Sequence, residues 1–423
     1  MGREGKKRMR VLTTKTSMPG GPRRVPWPAI ILAAIVLLMG AAVISPSFQY
    51  AEPPLGSRPY LVYQGEVQKF PVVVEDGEVY VPLKFIQEKL DPHVHWDEKG
   101  VMVVTTQDKV VKLKTQSLTA YVNQHPVNLE FPVILDGRQP YVPASTLETL
   151  YPVTTRLNRE YGIFLVRALD VPRFVGETNT RTVLRTKASP LARRVKVLPQ
   201  GEQIVVYGHG ARWLRVETSL GLCGFLPKKH VSGLREEPPE APEPAEYTPR
   251  PLKGDKVVLV WEQVDRITPD PSTLGDMPGL NVVSPTWFHL AETPGEVENR
   301  ADMRYVNWAH SRGYQVWALF SNSFDPDRTS VVLRDSDLRD QVISQLLIYA
   351  DIYKLDGINV DFENVYLEDG PYLTQFIREL TPLLHNQGLT VSIDITVKSS
   401  SPNWSLFLER DKLAQVVDYV MLM

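Results

Sequence analysis

Between Lys256 and Met423, short apolar runs alternate with longer stretches in which apolar residues recur every three or four positions. Val257–Trp261, Val282–Trp287, Gln315–Phe320, Gly357–Phe362, Leu389–Thr396 and Tyr419–Met423 read as strands. Ala301–Arg312, Asp335–Lys354, Pro371–Asn386 and Arg410–Val417 read as helices. Strands apolar on both faces and joined by helical crossovers predict a parallel sheet, open or closed into a barrel, with reactive groups at the carboxyl ends of the strands. Upstream the period changes. Over residues 60–170, Phe70-Pro71-Val72, Asp76-Gly77 and Tyr80-Val81-Pro82 recur as Phe131-Pro132-Val133, Asp136-Gly137 and Tyr141-Val142-Pro143. Each copy predicts a strand, an Asp-Gly hairpin turn, a strand and a short helix (Leu83–Leu90 and Ala144–Leu150). Residues 174–233 break into short alternating strands at spacings of about ten residues, which predicts a small all-β barrel.

The ends and joints of these pieces have their own composition. Residues 1–27 hold eight Lys/Arg and one acidic residue, and Ala29–Ile44 is uncharged. Sixteen residues at about 1.5 Å each reach about 24 Å, short of the roughly 30 Å hydrocarbon core, and flanking Pro28, Ser45 and Pro46 make up part of the difference at the interface. The expectation is a basic cytoplasmic segment, 1–27, and a transmembrane signal-anchor, 28–46, with the cytoplasmic membrane as partner and the remaining chain extracytoplasmic. Gly40, Ala41 and Ala42 leave cleavage and secretion open. The segment 235–253 holds six prolines and five glutamates, which predicts an extended linker reaching about 50–60 Å.

A length of 423 residues implies several domains, and 43% hydrophobic with 23% charged residues implies globular ones. The net charge of −2 becomes −9 once the basic first 27 residues are set apart, so no nucleic acid is expected as a partner. Cys223 is the single cysteine, which excludes an intramolecular disulfide framework and any multi-cysteine metal cluster. His93 and His95 alternate on one strand face with no third ligand evident nearby; no metal and no cofactor are expected.

The stretch that carries chemistry is Leu355-Asp356-Gly357-Ile358-Asn359-Val360-Asp361-Phe362-Glu363-Asn364. Alternation sends Ile358, Val360 and Phe362 outward to helices, and Asn359, Asp361 and Glu363 inward. An inward carboxylate is costly unless paired or wetted, so two in succession at a strand end point to function. Asp356, at the strand start, fits either support of the site or fixing of a turn. This string resembles the D-G-x-D-x-D-x-E signature of family 18 glycoside hydrolases, the chitinase-like enzymes, and NVVSPTWF, GYQVWALFSN, LTVSIDIT and VDYVMLM extend the likeness over 256–423. The closest likeness is to the spore- and wall-associated branch. Residues 60–170 resemble the copper amine oxidase N-terminal-like module, which implies no copper or oxidase chemistry. Residues 174–233 resemble a bacterial Src-homology-3-like domain, a wall-binding or spacing unit.

The resemblance implies a multidomain protein ending in a (β/α)8 TIM-barrel-type glycosidase that cleaves β-linked N-acetylglucosamine polymers, peptidoglycan or chitin-like, by substrate-assisted retaining hydrolysis. Glu363 is the implied general acid, and Asp361 orients the substrate acetamido group; Asn359 and Asp356 support them. Asn359 replaces the motif's middle aspartate and is expected to hydrogen-bond Asp361. Asn322, just past the third strand, is a candidate sugar contact. Trp287 and Trp317, with Trp261 and Phe324, are candidate stacking platforms, although core packing is the safer reading for any one of them. In the family a Tyr-Asp pair and two further strand–helix units follow the place where this chain ends, so a barrel incomplete at its carboxyl end, part of a longer product, is expected. The competing expectation is a non-catalytic carbohydrate-binding protein of the cell wall or spore envelope.

Overall fold

The computed structural model describes residues 59–97, 99–241, 247–248, 251–252 and 256–423. In the first module the two repeat copies meet each other directly. Glu78–Pro82 runs antiparallel to Gln139–Pro143, with Val81 opposite Val142, Tyr80 opposite Pro143 and Pro82 opposite Tyr141, so equivalent residues exchange places about a local two-fold axis. Asp76 and Gly77 both take positive φ, as the tight Asp-Gly hairpin requires. Leu61, Phe85, Ile86, Val142, Leu147 and Phe164 fill the module's core. A five-stranded antiparallel sheet from His95–Trp96 to His125–Asn128 gives Met102, Val104, Val111, Leu113 and Ala120 to that core and turns its other face toward the carboxyl-terminal region. The second module is a seven-stranded antiparallel sheet whose last strand, Val231–Glu237, pairs with Arg173–Thr178.

The third region positions the candidate site. Its strands are β1 (Leu259–Glu262), β2 (Val282–Pro285), β3 (Phe288–Leu290), β4 (Val297–Asn299), β5 (Gln315–Ser321), β6 (Gly357–Asp361), β7 (Thr390–Ile395) and β8 (Tyr419–Leu422). Its helices are α1 (Met303–Ser311), α2 (Pro326–Arg334), α3 (Ser336–Tyr353), α4 (Gly370–Asn386) and α5 (Arg410–Leu413). Strands β1, β2, β5, β6, β7 and β8 lie side by side in that order, every neighbour parallel, giving a half-barrel with helices on its outer face. The hairpin β3–β4 sits on this frame, with β3 alongside the end of β5. Val316, Ala318 and Phe320 of β5, Ile358 and Val360 of β6, and Val391 and Ile393 of β7 share one core with Leu346 of α3 and Leu373, Phe376 and Leu380 of α4. The alternate residues, Trp317, Asn359 and Ser392 among them, occupy the other face.

One device recurs at the amino ends of β2, β6 and β8. The residue before each strand, Asn281, Asp356 or Asp418, accepts through its side chain the backbone N–H of Val258, Val316 or Val391 on the neighbouring strand. Its own N–H donates back to that residue's carbonyl. At two of the three a histidine from the helix leading into the neighbouring strand, α1 before β5 or α4 before β7, completes the staple: His310 Nε2 lies 2.7 Å from Asp356 Oδ2, and His385 Nε2 lies 3.0 Å from Asp418 Oδ2. Asp356 is thus bound into the foot of the sheet, at the end opposite Asp361 and Glu363, and shares its role with Asp418 and Asn281.

The first module docks on the outer helices of the half-barrel. Val101, Val103 and Val110 join the core of the third region. Lys112 reaches between α3 and α4, 3.0 Å from Asp340 and 3.8 Å from Glu379, whose carboxylate is bound by Arg339 at 2.7 Å. Asp97 accepts from Ser336 Oγ at 2.5 Å, and Lys99 pairs with Asp335 at 2.6 Å.

Two expectations change. No helix among the described residues is long and apolar enough to cross a membrane, and the predicted signal-anchor, 28–46, lies outside the described residues. The transmembrane helix and the membrane as partner are therefore withdrawn. The described parts of 235–253 do not stand clear as a spacer. Residues 235–237 extend an edge strand, Ala241 N–H donates to Leu169 C=O, and the Tyr247 ring stacks on His385 at 3.5 Å while its hydroxyl donates to Leu389 C=O. Backbone and aromatic partners along the folded surface outweigh the stiffness of the prolines.

Candidate active site

Asp361 ends β6 and Glu363 lies two residues beyond it, at the carboxyl edge of the parallel sheet. The loop holding Glu363 is latched from both sides. Asn322, just past β5, donates its amide Nδ2 to the Glu363 carbonyl at 2.8 Å and accepts the Glu363 N–H on Oδ1 at 3.1 Å. Asn364 reaches back the other way, donating to the Phe324 carbonyl at 2.9 Å. Ser323, Phe324 and Asn364 all adopt positive φ. A non-glycine residue in that region costs on the order of 1 kcal/mol or more, and such strain collects where a functional geometry must be held.

Inside the sheet, polar groups form a connected row. Asn359, fully buried, donates to Asp394 Oδ2 at 2.7 Å and accepts from Ser392 Oγ at 2.5 Å. The expected Asn359–Asp361 hydrogen bond is replaced by these two, because β7 brings Ser392 directly opposite Asn359 in register. Asp361 Oδ1 is buried with no hydrogen-bond partner among the described residues. No Lys, Arg or His pairs with Asp361, Glu363 or Asp394 among the described residues, so burial acts on these acids without cationic relief. It pushes Asp361 up to about 7, with the Glu363 charge adding to the effect. It pushes Asp394 up to about 8, reinforced by the charges of Asp361 and Glu363 and opposed by the Asn359 and Trp261 side chains. Burial alone raises half-buried Glu363. The site therefore retains protons near neutrality that ordinary carboxyl groups have released, which equips it for general acid chemistry.

The structure redistributes the other predicted site residues. Asn322 is fully buried, with both ends of its amide spent on Glu363 and Thr329, so it positions the loop and has no polar atom to offer a sugar. Trp287 and Trp317 are 0% and 1% exposed and present no stacking face. Trp287 donates its indole N–H to Thr268, and Trp317 packs on Tyr419 at 5.2 Å. Exposed aromatic surface belongs instead to Phe324 and Trp404, whose rings lie 6.2 Å apart above the ends of β5 and β7, and to Trp261 on β1. Trp404 and Asp394 escaped sequence reasoning. Asp394 was accessible to it, since the alternation that faces Asn359 and Asp361 inward also faces Ser392 and Asp394 inward. Among the described residues no three His, Cys, Asp or Glu side chains gather as a metal-binding group.

Comparison with known proteins adds to this geometry. Residues 62–160 match the copper amine oxidase N-terminal domain. An uncharacterized glycosylase, YvbX, of Bacillus subtilis (strain 168) is 26% identical over 153 residues, covering 34% of this chain and 44% of that protein. The cortical fragment-lytic enzyme of Bacillus anthracis is 33% identical over 106 residues, 24% of each chain. The solved structure of the spore cortex-lytic enzyme SleL of Bacillus megaterium QM B1551 aligns with a TM-score of 0.36 at 16% identity, over 39% of this chain and 41% of that one. The chain spans less than half the length of each of these proteins.

Proposed function

We propose that the third region is the catalytic part of a family 18-type glycosidase that hydrolyses β-linked N-acetylglucosamine polymers of the cell wall, by a substrate-assisted, retaining route. The observation that carries this reading is the pair at the carboxyl end of a parallel strand: Asp361 with a buried, unpartnered carboxylate oxygen, and half-buried Glu363 on a loop held by two asparagine latches, neither acid having a cationic partner among the described residues. The glycosylase and cortex-lytic names of its relatives support the same class of reaction.

Protonated Glu363 delivers its proton to the glycosidic oxygen as the bond to the anomeric carbon breaks. The substrate's own acetamido oxygen attacks that carbon, giving an oxazolinium ion, which Asp361 orients and stabilises. Glu363, now ionised, takes a proton from water, and the water oxygen adds to the anomeric carbon with overall retention. Asn359 lacks the carboxylate that the family motif places there. Asp394 supplies one from the adjacent strand, and it fixes the Asn359 amide so that a proton-holding acid remains beside Asp361. Phe324, Trp404 and Trp261 are the surfaces on which sugar rings would stack.

The test is incubation of the full chain with chitin oligosaccharides and with purified peptidoglycan, products read by mass and by the NMR coupling of the newly formed anomeric proton. Shortened fragments with retained configuration are the expected result. Binding of either polymer without cleavage would replace this proposal with that of a carbohydrate-binding protein.

A further inference from the structure

The second module carries a charge that the chain as a whole conceals. Residues 179–233 contain ten Lys/Arg and two acidic residues, a net +8 inside a chain of net −2. Five of these cations, Arg181, Arg185, Arg212, Lys228 and Lys229, line one cleft of about 900 Å3 together with Trp213. Backbone pairing brings them there. Arg181 and Arg185 flank and end the strand Thr182–Arg185, and Lys228 N–H donates to the Arg212 carbonyl at 2.9 Å, tying the Lys228–His230 turn to the head of the strand Trp213–Thr218. Thr182 Oγ1 and His230 Nδ1, 2.7 Å apart, close the floor.

No aspartate or glutamate lines this cleft, and none of the five cations is ion-paired among the described residues. Arg185 gives one N–H to the Ala192 carbonyl; its remaining donors, and those of the other four, are available. Elsewhere the same chain does pair its exposed cations, as in Lys99 with Asp335 and Arg304 with Asp302. An uncompensated cationic concavity focuses positive potential and concentrates anions. Three guanidinium forks suit phosphate or carboxylate oxygens in pairs. A single aromatic, Trp213, does not make the run of stacking platforms that single-stranded nucleic acids use.

We propose that this cleft binds a linear polyanion of repeating phosphodiester or carboxylate groups, and so holds the protein on an anionic polymer independently of the glycan its active site cleaves. The proposal does not rest on the glycosidase assignment, because its test measures binding alone. Full-length protein is titrated by calorimetry with poly(glycerol phosphate) and with poly-L-glutamate, at 50 and 200 mM NaCl. Binding to at least one polymer is expected, the tighter partner identifying the anion. For five contacts, counterion release weakens affinity about 100-fold over that salt range. R181E/R212E, both at exposed positions and checked for folding by circular dichroism, is expected to weaken binding at least tenfold, whereas K84E in the first module changes it less than twofold. Binding unaltered by R181E/R212E would overturn the proposal by placing the polymer elsewhere, such as on the basic residues 1–27. Equal affinity for single-stranded oligothymidine would overturn it by reducing the cleft to unselective charge.

Discussion

Replacing Asn322 by alanine tests whether the loop holding the proposed acid is held by its latch. Asn322 is fully buried and makes two hydrogen bonds to the Glu363 backbone, at 2.8 and 3.1 Å, and a third to Thr329 at 2.9 Å. Each lost bond is worth about 1 kcal/mol, and a buried backbone group left without a partner costs about 1–3 kcal/mol, so a destabilisation of about 2–4 kcal/mol is expected in urea denaturation. The functional consequence is separable. A shift of the acid by about 1 Å costs on the order of 100-fold in turnover, whereas sugar affinity, proposed to rest on the aromatic rim, should hold nearly constant. The Glu363 amide, read by hydrogen exchange, should also lose protection in the N322A protein. Steady-state kinetics on chitin oligosaccharides then show a fall in kcat with little change in KM. A variant that loses the stability yet keeps kcat within twofold, with Glu363 still protected, would refute the positioning argument.

Two further predictions concern buried charge. Asp361 and Asp394 keep their protons to about pH 7 and 8 when folded but release them near pH 4 when unfolded, so the folded state binds more protons across that window. The contribution of these two acids to stability is therefore greatest at or below about pH 4 and falls as pH rises toward 8, by a few kcal/mol for the pair; D394N should flatten the slope between pH 5 and 8.5 in urea midpoints, and an unchanged slope would contradict the assignment. Burial disfavours the Glu379 carboxylate, but Arg339 and Lys112 outweigh it and hold the group below its ordinary range. E379L leaves Arg339 buried without its counter-charge and should cost about 3–5 kcal/mol, against less than about 1 kcal/mol if the network contributes nothing.

How far the sequence reaches is visible element by element. Short apolar runs located all six parallel strands, and the two-residue alternation of side chains within Gly357–Phe362 faced Asp361 and Glu363 inward. Sequence pattern missed α2, where only Thr329, Val332 and Leu333 are buried and the polar face dominates the pattern. It missed β3 and β4, three residues each, too short to show a period. It kept Trp287 and Trp317 as candidate sugar platforms, with core packing the safer reading for each, because residue type near a strand end does not report which face a ring covers; both are core. Lys112 and Glu379 lie 267 positions apart in the chain, and nothing local to either announces the other. Asp356 shows the reverse case. Read alone it was ambiguous, and only its repetition in Asn281 and Asp418 explains it as a fastening at the foot of the sheet.

The central claim is that Glu363 transfers the proton, and E363Q tests it most directly, since the amide keeps the shape and the hydrogen-bonding backbone while removing the acid. Native protein and E363Q are incubated in parallel with purified peptidoglycan and chitin oligosaccharides, with cleavage followed by mass spectrometry and oligosaccharide affinity by calorimetry. The account predicts fragments from the native protein alone and closely similar affinities for the two. Equal cleavage by both proteins would contradict it, as would an intact polymer after incubation with the native chain.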